Sequence, residues 1–288
     1  MSGTALALVL GAAVLHAGWN ALAKRGRDQL CFLWSAVTVG AVLFIPAVFW
    51  PLAAAGLPAE AVPYVLATVA LHALYFWALG RSYRSGEFSL VYPIARGLGV
   101  ALVPVLALGT LGERLSPLGA AGVALVVLGI LVLQLASRGW WRAATQLARP
   151  GPGTWWAVLT GLTIAAYALV DKAGVARLHP VPYIGFMFLG ASALLVAPVL
   201  RQRAALRREW RDNWRTILAA AAMTLTAYLL VLFAFRLSKA GYVVAARETS
   251  IVLSVVIGRL WFGEPASRAR LGGAALVLVG VACVALAR

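Results

Sequence analysis

Three charged residues lie in stretches of the chain that are otherwise apolar. Arg96 occurs in LVYPIARG (90–97), and Arg247 and Glu248 are neighbours in AARETSIV (245–252). A guanidinium binds a carboxylate through two parallel hydrogen bonds. A carboxylate among apolar residues can balance an arginine, bind an ammonium group or carry a proton. These residue types predict reversible binding of a charged small molecule, with all three roles open for Glu248.

Other polar and aromatic residues recur in the apolar stretches at the spacing of a helix face. Residues three or four positions apart lie on one side of a helix. Such faces either line a shared cavity or form hydrogen bonds between helices, and for any single residue the second role is the favoured one. Taken together they favour a central cavity. With the charged trio, the predicted substrate-binding residues are His16, Trp19, Asn20, His72, Tyr75, Tyr92, Thr163, Tyr167 and Tyr228.

The composition indicates which elements must position these residues. Of the 288 residues, 62% are hydrophobic and only 12% are charged, whereas a soluble domain has about 25% charged residues. Apolar stretches near the length needed to cross a bilayer as a helix recur along the chain. We therefore predict an all-α membrane protein with ten transmembrane helices, at 4–23, 30–52, 61–80, 88–111, 117–136, 153–171, 181–200, 216–236, 240–262 and 269–287.

The chain also contains an internal repeat. GERLSPLGAAGVALVVLGI (112–130) aligns with GEPASRARLGGAALVLVGV (263–281) at an offset of 151. The same offset, without a gap, pairs Arg96 with Arg247. Self-similarity at one fixed offset indicates duplication of a structural unit. The alternative is chance similarity between stretches that are all rich in Ala, Val and Leu.

The repeat predicts two halves of opposite orientation. Each half holds five predicted spans, and because five is odd the second half must cross the membrane in the opposite sense. Inverted repeats around a central site are a transporter architecture. We expect a first five-helix repeat at 1–138, an inter-repeat loop at 139–152 and a second five-helix repeat at 153–288.

The net charge of +16 would suggest a nucleic-acid partner in a soluble chain. Here the basic residues lie mainly in loops, where they set topology and contact anionic lipids, so we expect the bilayer and no nucleic acid as a partner. Loops after the odd-numbered spans hold 16 Lys and Arg residues, and the other loops with the C-terminus hold six. The positive-inside rule then places both termini outside.

Patterns for catalysis, metal binding or ATP hydrolysis are missing from the sequence. It has no Gly-x-Ser-x-Gly, no His-Glu-x-x-His and no Walker motif, and it has three histidines and two cysteines in all. We therefore expect neither an enzyme nor a cofactor or metal. Two alternatives to a carrier stay open: a non-transporting membrane scaffold or channel, and an intramembrane enzyme.

The ends of the two halves resemble a known family. Each has an apolar run, Gly-Glu (112–113 and 263–264), a short turn and then Gly-x6-Gly. This pattern resembles the EamA-type half of the drug/metabolite transporter superfamily, over essentially the whole chain. The family's early proline in the fourth span is matched by Pro93, but the second half has Val244 there.

The resemblance implies a ten-helix metabolite carrier, often an exporter of amino acids or other small polar compounds. We accordingly predict a secondary transporter in the bacterial inner membrane that exports such a metabolite by alternating access, with a coupled proton left open. Members of the family are usually drawn with both termini in the cytoplasm. The charge count gives the opposite orientation, and we follow the charge count.

The sequence also predicts where the backbone breaks and where acidic residues lie. Two prolines and two glycines between 93 and 104 make the fourth span the one expected to kink or partly unwind, with plain helix packing that tolerates the prolines as the alternative. Glu248 is interpreted as the only acidic residue deep within a span. Asp171 and Lys172 are interpreted as a neighbouring ion pair at the membrane interface, with a proton relay as the alternative. In each Gly-Glu pair we expect a helix-ending glycine and a carboxylate near the next helix's N-terminus.

Overall fold

The computed structural model describes residues 1–23, 26–46, 56–86, 88–135, 151–262 and 268–287. Within these ranges all regular structure is helical, so the predicted all-α class is confirmed. The eleven α-helices in this part of the chain are α1 Gly3–Ala23, α2 Gln29–Leu43, α3 Val62–Ser85, α4 Phe88–Thr110, α5 Pro117–Leu135, α6 Pro152–Gly174, α7 Pro180–Leu200, α8 Arg203–Leu237, α9 Ala240–Arg247, α10 Thr249–Phe262 and α11 Arg268–Leu286.

Local sequence signals explain where several helices begin. Asp28 precedes α2, and its side-chain oxygen accepts the Cys31 N–H at 3.0 Å. Proline lies in the first turn of α3, α6 and α7, where its missing N–H has no helical partner to lose. These caps fix the start of each helix at the edge of its apolar stretch.

Among the described residues, six helices are long and apolar enough to cross a membrane: Gly3–Ala23, Ala59–Ser85 with its short 3-10 turn, Pro152–Gly174, Pro180–Leu200, Arg203–Leu237 and Arg268–Leu286. Three shorter apolar helices are Gln29–Leu43, Ile94–Thr110 and Pro117–Leu133. In hydrocarbon a helix satisfies its own backbone hydrogen bonds, and large side chains such as Leu43 and Leu66 face outward. The chain is therefore a multi-pass membrane protein.

Helix α8 combines a polar connector with a membrane span. It runs over 35 residues, and its backbone leaves helical geometry at Asn213, with φ −128° and ψ 15°. Glu209, just before this kink, is fully buried and accepts the backbone N–H groups of Arg27 and Asp28 at 2.9 and 3.1 Å. The connector is thereby tied to the turn between α1 and α2. The predicted inter-repeat loop 139–152 lies outside the described residues except for 151–152.

Polar contacts lie at two opposite ends of the helices. At one end Arg84 lies 2.9 Å from Asp28 and donates to Gln202 at 2.6 Å, which joins the segments following α1, α3 and α7. The Met1 amino group lies at the other end of α1, about 30 Å away at 1.5 Å per residue. It donates to the Ala287 carbonyl at 2.6 Å, so the two chain ends lie side by side.

Helices α5 and α11 approach each other through paired glycines. A Cβ on Gly122 would lie 2.7 Å from the Gly280 carbonyl oxygen, and one on Gly129 would lie 2.8 Å from that of Gly273. No real Cβ tolerates such distances, so both glycines of each Gly-x6-Gly motif are needed for this contact. The pairing runs in opposite directions along the two helices.

The break in the ninth predicted span falls at Glu248, between α9 and α10. By contrast α4 runs unbroken from Phe88 to Thr110, so the expected partial unwinding of the fourth span is wrong, and the alternative of plain helix packing agrees with the structure. The physical reason is packing: a Cβ on Gly99 would lie 2.5 Å from Ile164 Cγ2. Gly99 therefore allows α6 to contact α4 closely rather than releasing backbone groups to a ligand.

Candidate functional site

A cavity of about 570 Å³, including the open space at its mouth, lies among the helices. Side chains from α1, α3, α4, α6, α7, α8 and α9 line it, so helices from both halves of the chain contribute. Of the twelve predicted site residues, eight line this cavity: His16, Trp19, His72, Tyr75, Arg96, Tyr167, Tyr228 and Arg247. Phe76, Met187, Phe188 and Thr224 are among the further lining residues.

The other four predicted site residues do not line the cavity. Asn20 donates through its side-chain amide to the His16 carbonyl at 2.7 Å, one turn back on its own helix. The hydroxyl of Thr163 likewise donates to the Thr160 carbonyl at 2.8 Å. Tyr92 lies one turn before Arg96 on α4, and Glu248 contacts Arg96. The spacing of residues along a helix therefore does not distinguish these four residues from those that line the cavity.

Arg96 and Glu248 form a two-point ion pair. Arg96 Nη2 lies 2.6 Å from Glu248 Oε1, and Nε lies 3.3 Å from Oε2. The two side chains are 6% and 1% exposed. Among the roles considered for Glu248, the structure shows it balancing an arginine, but its partner is Arg96 of the first half rather than the neighbouring Arg247. The ion pair connects α4 to the junction between α9 and α10.

Arg247 is a buried cation with one unpartnered nitrogen among the described residues. It is 5% exposed, lines the cavity, and its Nε has no hydrogen-bond partner among the described residues. An unpaired buried donor costs about 1–3 kcal/mol, and more when it is charged. A carboxylate entering the cavity would supply the missing acceptor and offset the charge.

Aromatic rings form much of the cavity wall. The His72 ring lies 4.3 Å from that of Tyr167 and 5.4 Å from that of Tyr228, measured between centroids. Tyr75 approaches Tyr167 at 5.5 Å, and His16 contacts Trp19 at 5.0 Å. Such rings present apolar faces and polar tips, so the wall accommodates a small organic molecule beside the arginine.

Asp171 is the residue that the sequence interpretation missed. It is fully buried, and it accepts hydrogen bonds from Thr68 Oγ1 at 2.5 Å, Tyr183 Oη at 2.9 Å and Tyr228 Oη. The predicted Asp171–Lys172 pair is wrong, because neighbours in sequence do not face each other on a helix. Tyr167 precedes Asp171 by four residues, and this spacing could have placed the carboxylate on the cavity side. Glu248 is therefore not the only deeply buried acid.

The Lys172 side chain instead points away from Asp171 and lies next to Glu113. Its Nζ lies 3.6 Å from Glu113 Oε1 and donates to the Ser238 carbonyl at 2.8 Å. Gly112 ends α4 with φ +65°, as expected of a helix-ending glycine. Glu113 accepts the Ala240 N–H at 2.7 Å, so it caps α9 in the second half rather than the next helix. The second pair, 263–264, lies outside the described residues.

A bundle of apolar membrane-crossing helices around a polar cavity with a buried cation defines a class, the membrane transporters. Residues 151–286 match the EamA-like transporter family. A multidrug transporter of Pseudomonas aeruginosa is 38% identical over 74 residues, which make up 26% of this chain and 67% of that protein. The chain belongs to the EamA-like transporter family of the drug/metabolite transporter superfamily, and the predicted resemblance is confirmed.

One further relative and one solved structure are similar to this chain. The multidrug transporter EmrE of Escherichia coli is 30% identical over 71 residues, 25% of this chain and 64% of that protein. The chain thus spans less than two thirds of the length of this second relative. A solved crystal structure is 16% identical, covers 99% of both chains and superposes with a TM-score of 0.73. This likeness shows that the fold recurs over the full length of another protein.

Proposed function

We propose that this transporter is a secondary carrier that exports a small polar metabolite bearing a carboxylate, such as an amino acid or a related compound, by alternating access. The observation that carries the proposal is Arg247, a buried guanidinium in the cavity wall whose Nε has no hydrogen-bond partner in the part of the chain that the structure describes. Arg96 lines the same cavity, but its charge is balanced by Glu248. Arg247 is therefore left to anchor an anionic group through the two-point geometry that a guanidinium favours.

The proposed architecture is ten transmembrane helices in two inverted five-helix repeats, 1–138 and 153–288. The glycine contacts between α5 and α11 support it. The offset of 151 relates Gly122 to Gly273 and Gly129 to Gly280, whereas the observed contacts join Gly122 to Gly280 and Gly129 to Gly273. A pseudo-two-fold axis between two antiparallel helices produces this crossed pairing.

The proposed location is the bacterial inner membrane, with both termini outside. Adjacent chain ends, joined by the Met1–Ala287 hydrogen bond, agree with an even number of crossings. The basic segments around Arg27, Arg84 and 201–215 lie at the other end of the helices, where they contact each other's polar side chains. The excess of 16 Lys and Arg residues over six supports placing that end in the cytoplasm.

A second candidate substrate class follows from the aromatic wall. Two similar transporters are named for multidrug transport, and the rings of Trp19, Tyr75, Phe76 and Tyr167 line the cavity here. Flat apolar compounds pack on such rings through burial of their faces. Transport of these compounds would depend on the rings and would not require Arg247.

The deciding experiment compares Arg247→Gln with the wild-type protein in proteoliposomes. Exchange of a mixture of radiolabelled L-amino acids is measured across the membrane. We expect wild-type exchange and at least about a tenfold loss in the variant, because removing one partner of a buried charge pair costs about 2–5 kcal/mol. Arg208→Gln is the matched control, since Arg208 is exposed on the connector.

Two outcomes count against the proposal. If Arg247→Gln inserts normally and exchanges amino acids at the wild-type rate, Arg247 does not bind the substrate. If an aromatic dye is transported equally by the wild-type protein and Arg247→Gln while amino acids are not transported, the drug-like substrate class is the correct one.

A further inference from the structure

A histidine and a carboxylate lie side by side next to the cavity, outside the arginine site. His72 is 3% exposed and lines the cavity, and Asp171 is fully buried behind it. His72 Nε2 lies 3.9 Å from Asp171 Oδ2 and has no hydrogen-bond partner among the described residues. Buried polar atoms are rarely left without a partner, so this nitrogen requires an explanation.

The contacts of the other ring nitrogen fix the tautomer of His72. Nδ1 lies 3.0 Å from the Thr68 carbonyl oxygen and 3.0 Å from Thr68 Oγ1. A carbonyl oxygen only accepts hydrogen bonds, and the Thr68 hydroxyl donates its single hydrogen to Asp171 at 2.5 Å. Nδ1 must therefore carry the hydrogen. In a neutral imidazole this leaves Nε2 with a lone pair that points toward a carboxylate.

The hydrogen bonds of Asp171 fit an ionised carboxylate. Oδ1 accepts from Thr68 and Tyr183, and Oδ2 accepts from Tyr228. An ionised carboxylate only accepts, so three hydroxyl donors satisfy it. Two acceptors, Nε2 and Oδ2, thus face each other with no hydrogen between them. The pair is one proton short of a complete set of hydrogen bonds.

We propose that His72 and Asp171 form a proton-binding site beside the cavity, in which one proton is taken up at His72 Nε2 and held toward Asp171 Oδ2. The proton comes from a hydronium ion in the cavity, whose O–H bond breaks to leave a water molecule. The Nε2 lone pair forms the new N–H bond, no bond in the protein breaks, and the imidazole becomes an imidazolium. Its positive charge then lies 3.9 Å from the carboxylate oxygen Oδ2, at the distance of an ion pair.

Side chains around His72 and Asp171 affect how readily His72 takes up a proton. Tyr167 and Tyr183 contribute neutral hydroxyl-bearing rings from α6 and α7, and Tyr228 does so from α8. Arg247 on α9 is the nearby cation that lines the same cavity, and its charge opposes a second positive charge on His72.

A substrate carboxylate on Arg247 would offset this repulsion, so the proton and the anion should bind cooperatively, each raising the affinity of the other. This step rests on the proposed function. A carboxylate that leaves the cell would then take a proton with it, and the outward substrate gradient would drive both.

The first test needs no substrate. The full chain, labelled with nitrogen-15 histidine and held in lipid nanodiscs, is titrated by NMR, and His72→Gln identifies the His72 signal among the three histidines. We expect the Nδ1–H tautomer at high pH and a second N–H as the pH falls. Asp171→Asn should lower the midpoint by at least about one pH unit, because it removes the paired negative charge.

Three results of this titration would overturn the site: an Nε2–H tautomer, a His72 signal that stays neutral at every pH where the fold persists, or a midpoint unchanged by Asp171→Asn. His179→Gln is the control variant that should leave the His72 titration as it is, since His179 caps α7 at its exposed N-terminus. The wild-type tautomer is informative even if a variant fails to fold.

The second test links the proton to transport of the radiolabelled amino-acid mixture. For one proton per substrate, accumulation should change by about tenfold for each unit of imposed pH gradient. Asp171→Asn, whose side chain is buried behind His72 and does not line the cavity, should keep amino-acid exchange at zero gradient and reduce this accumulation. Absence of exchange in the wild-type protein would count against the proposed function. Wild-type exchange that ignores the pH gradient would overturn the coupled proton site alone.

Discussion

The Arg96–Glu248 pair joins two distant parts of the chain inside the membrane region. Because both side chains are almost fully buried, removing either one leaves an uncompensated buried charge. We expect Glu248→Gln or Arg96→Gln to lower the free energy of unfolding by about 3–5 kcal/mol. The double substitution should recover part of the loss, since neither charge of the pair is then left without its partner. Denaturant unfolding of the four proteins in detergent gives this double-mutant cycle.

An exposed pair provides the comparison. Arg211 lies 2.9 Å from Asp212, but its side chain is 72% exposed. Arg211→Gln should therefore leave the unfolding curve almost unchanged, because solvent screens exposed ion pairs. If Glu248→Gln proves as stable as the wild-type protein, the buried ion pair between α4 and the junction of α9 and α10 does not stabilise the fold.

At the residue scale, the sequence predicted the members of the cavity better than their partners. Helical spacing placed eight of the twelve chosen residues on the cavity, because polar and aromatic faces of several helices turn toward one centre. It did not identify the Arg96–Glu248 pair or the burial of Asp171. Those contacts join residues 152 and 103 positions apart, and they depend on how whole helices pack.

At the scale of helices, the close contact between α5 and α11 makes a sharp prediction. A Cβ on Gly280 would lie 2.6 Å from the Gly122 carbonyl oxygen, so Gly280→Ala must push the two helices apart. We expect it to lower the free energy of unfolding by about 1–3 kcal/mol. Thermal unfolding in detergent measures the difference.

Gly272 on the same helix is the matched control, because a Cβ there meets nothing within 4 Å. Gly272→Ala should raise stability by up to about 1 kcal/mol, since alanine favours the helix over glycine. If the two alanine variants prove equally stable, the close approach of α5 and α11 does not contribute to the fold.

The break between helices shows what could not be predicted at this scale. Pro93 and the glycines near it suggested a break in α4, yet α4 is continuous and the chain departs from helix at Glu248. Glycine permits either unwinding or close packing, and only the position of Ile164 against Gly99 decides between them. The all-helical, apolar character of the chain, by contrast, depends on local composition, and this prediction is confirmed.

At the scale of the whole molecule, the ion-pair contacts separate the loops into two sets. Segments near Arg27, Arg84 and 201–215 meet at one end, and the two chain ends meet at the other. Because the two sets of loops lie at opposite ends, the number of Lys and Arg residues in each set indicates the orientation of the protein in the membrane. Because the first end carries most of the loop Lys and Arg residues, it should face the cytoplasm.

Reporter fusions test this orientation directly. Alkaline phosphatase fused after Arg288 should be active, because the enzyme works outside the cytoplasm, and green fluorescent protein fused there should stay dark. The same reporters inserted after Arg201, in the turn between α7 and α8, should give the opposite pattern.

A fluorescent C-terminal fusion with an active phosphatase at Arg201 would reverse the assignment. The positive-inside rule would then fail for this chain despite its bias of 16 to six. Identical signals at both positions would instead contradict the separation of the two ends, since a segment after α7 and the C-terminus would share one side.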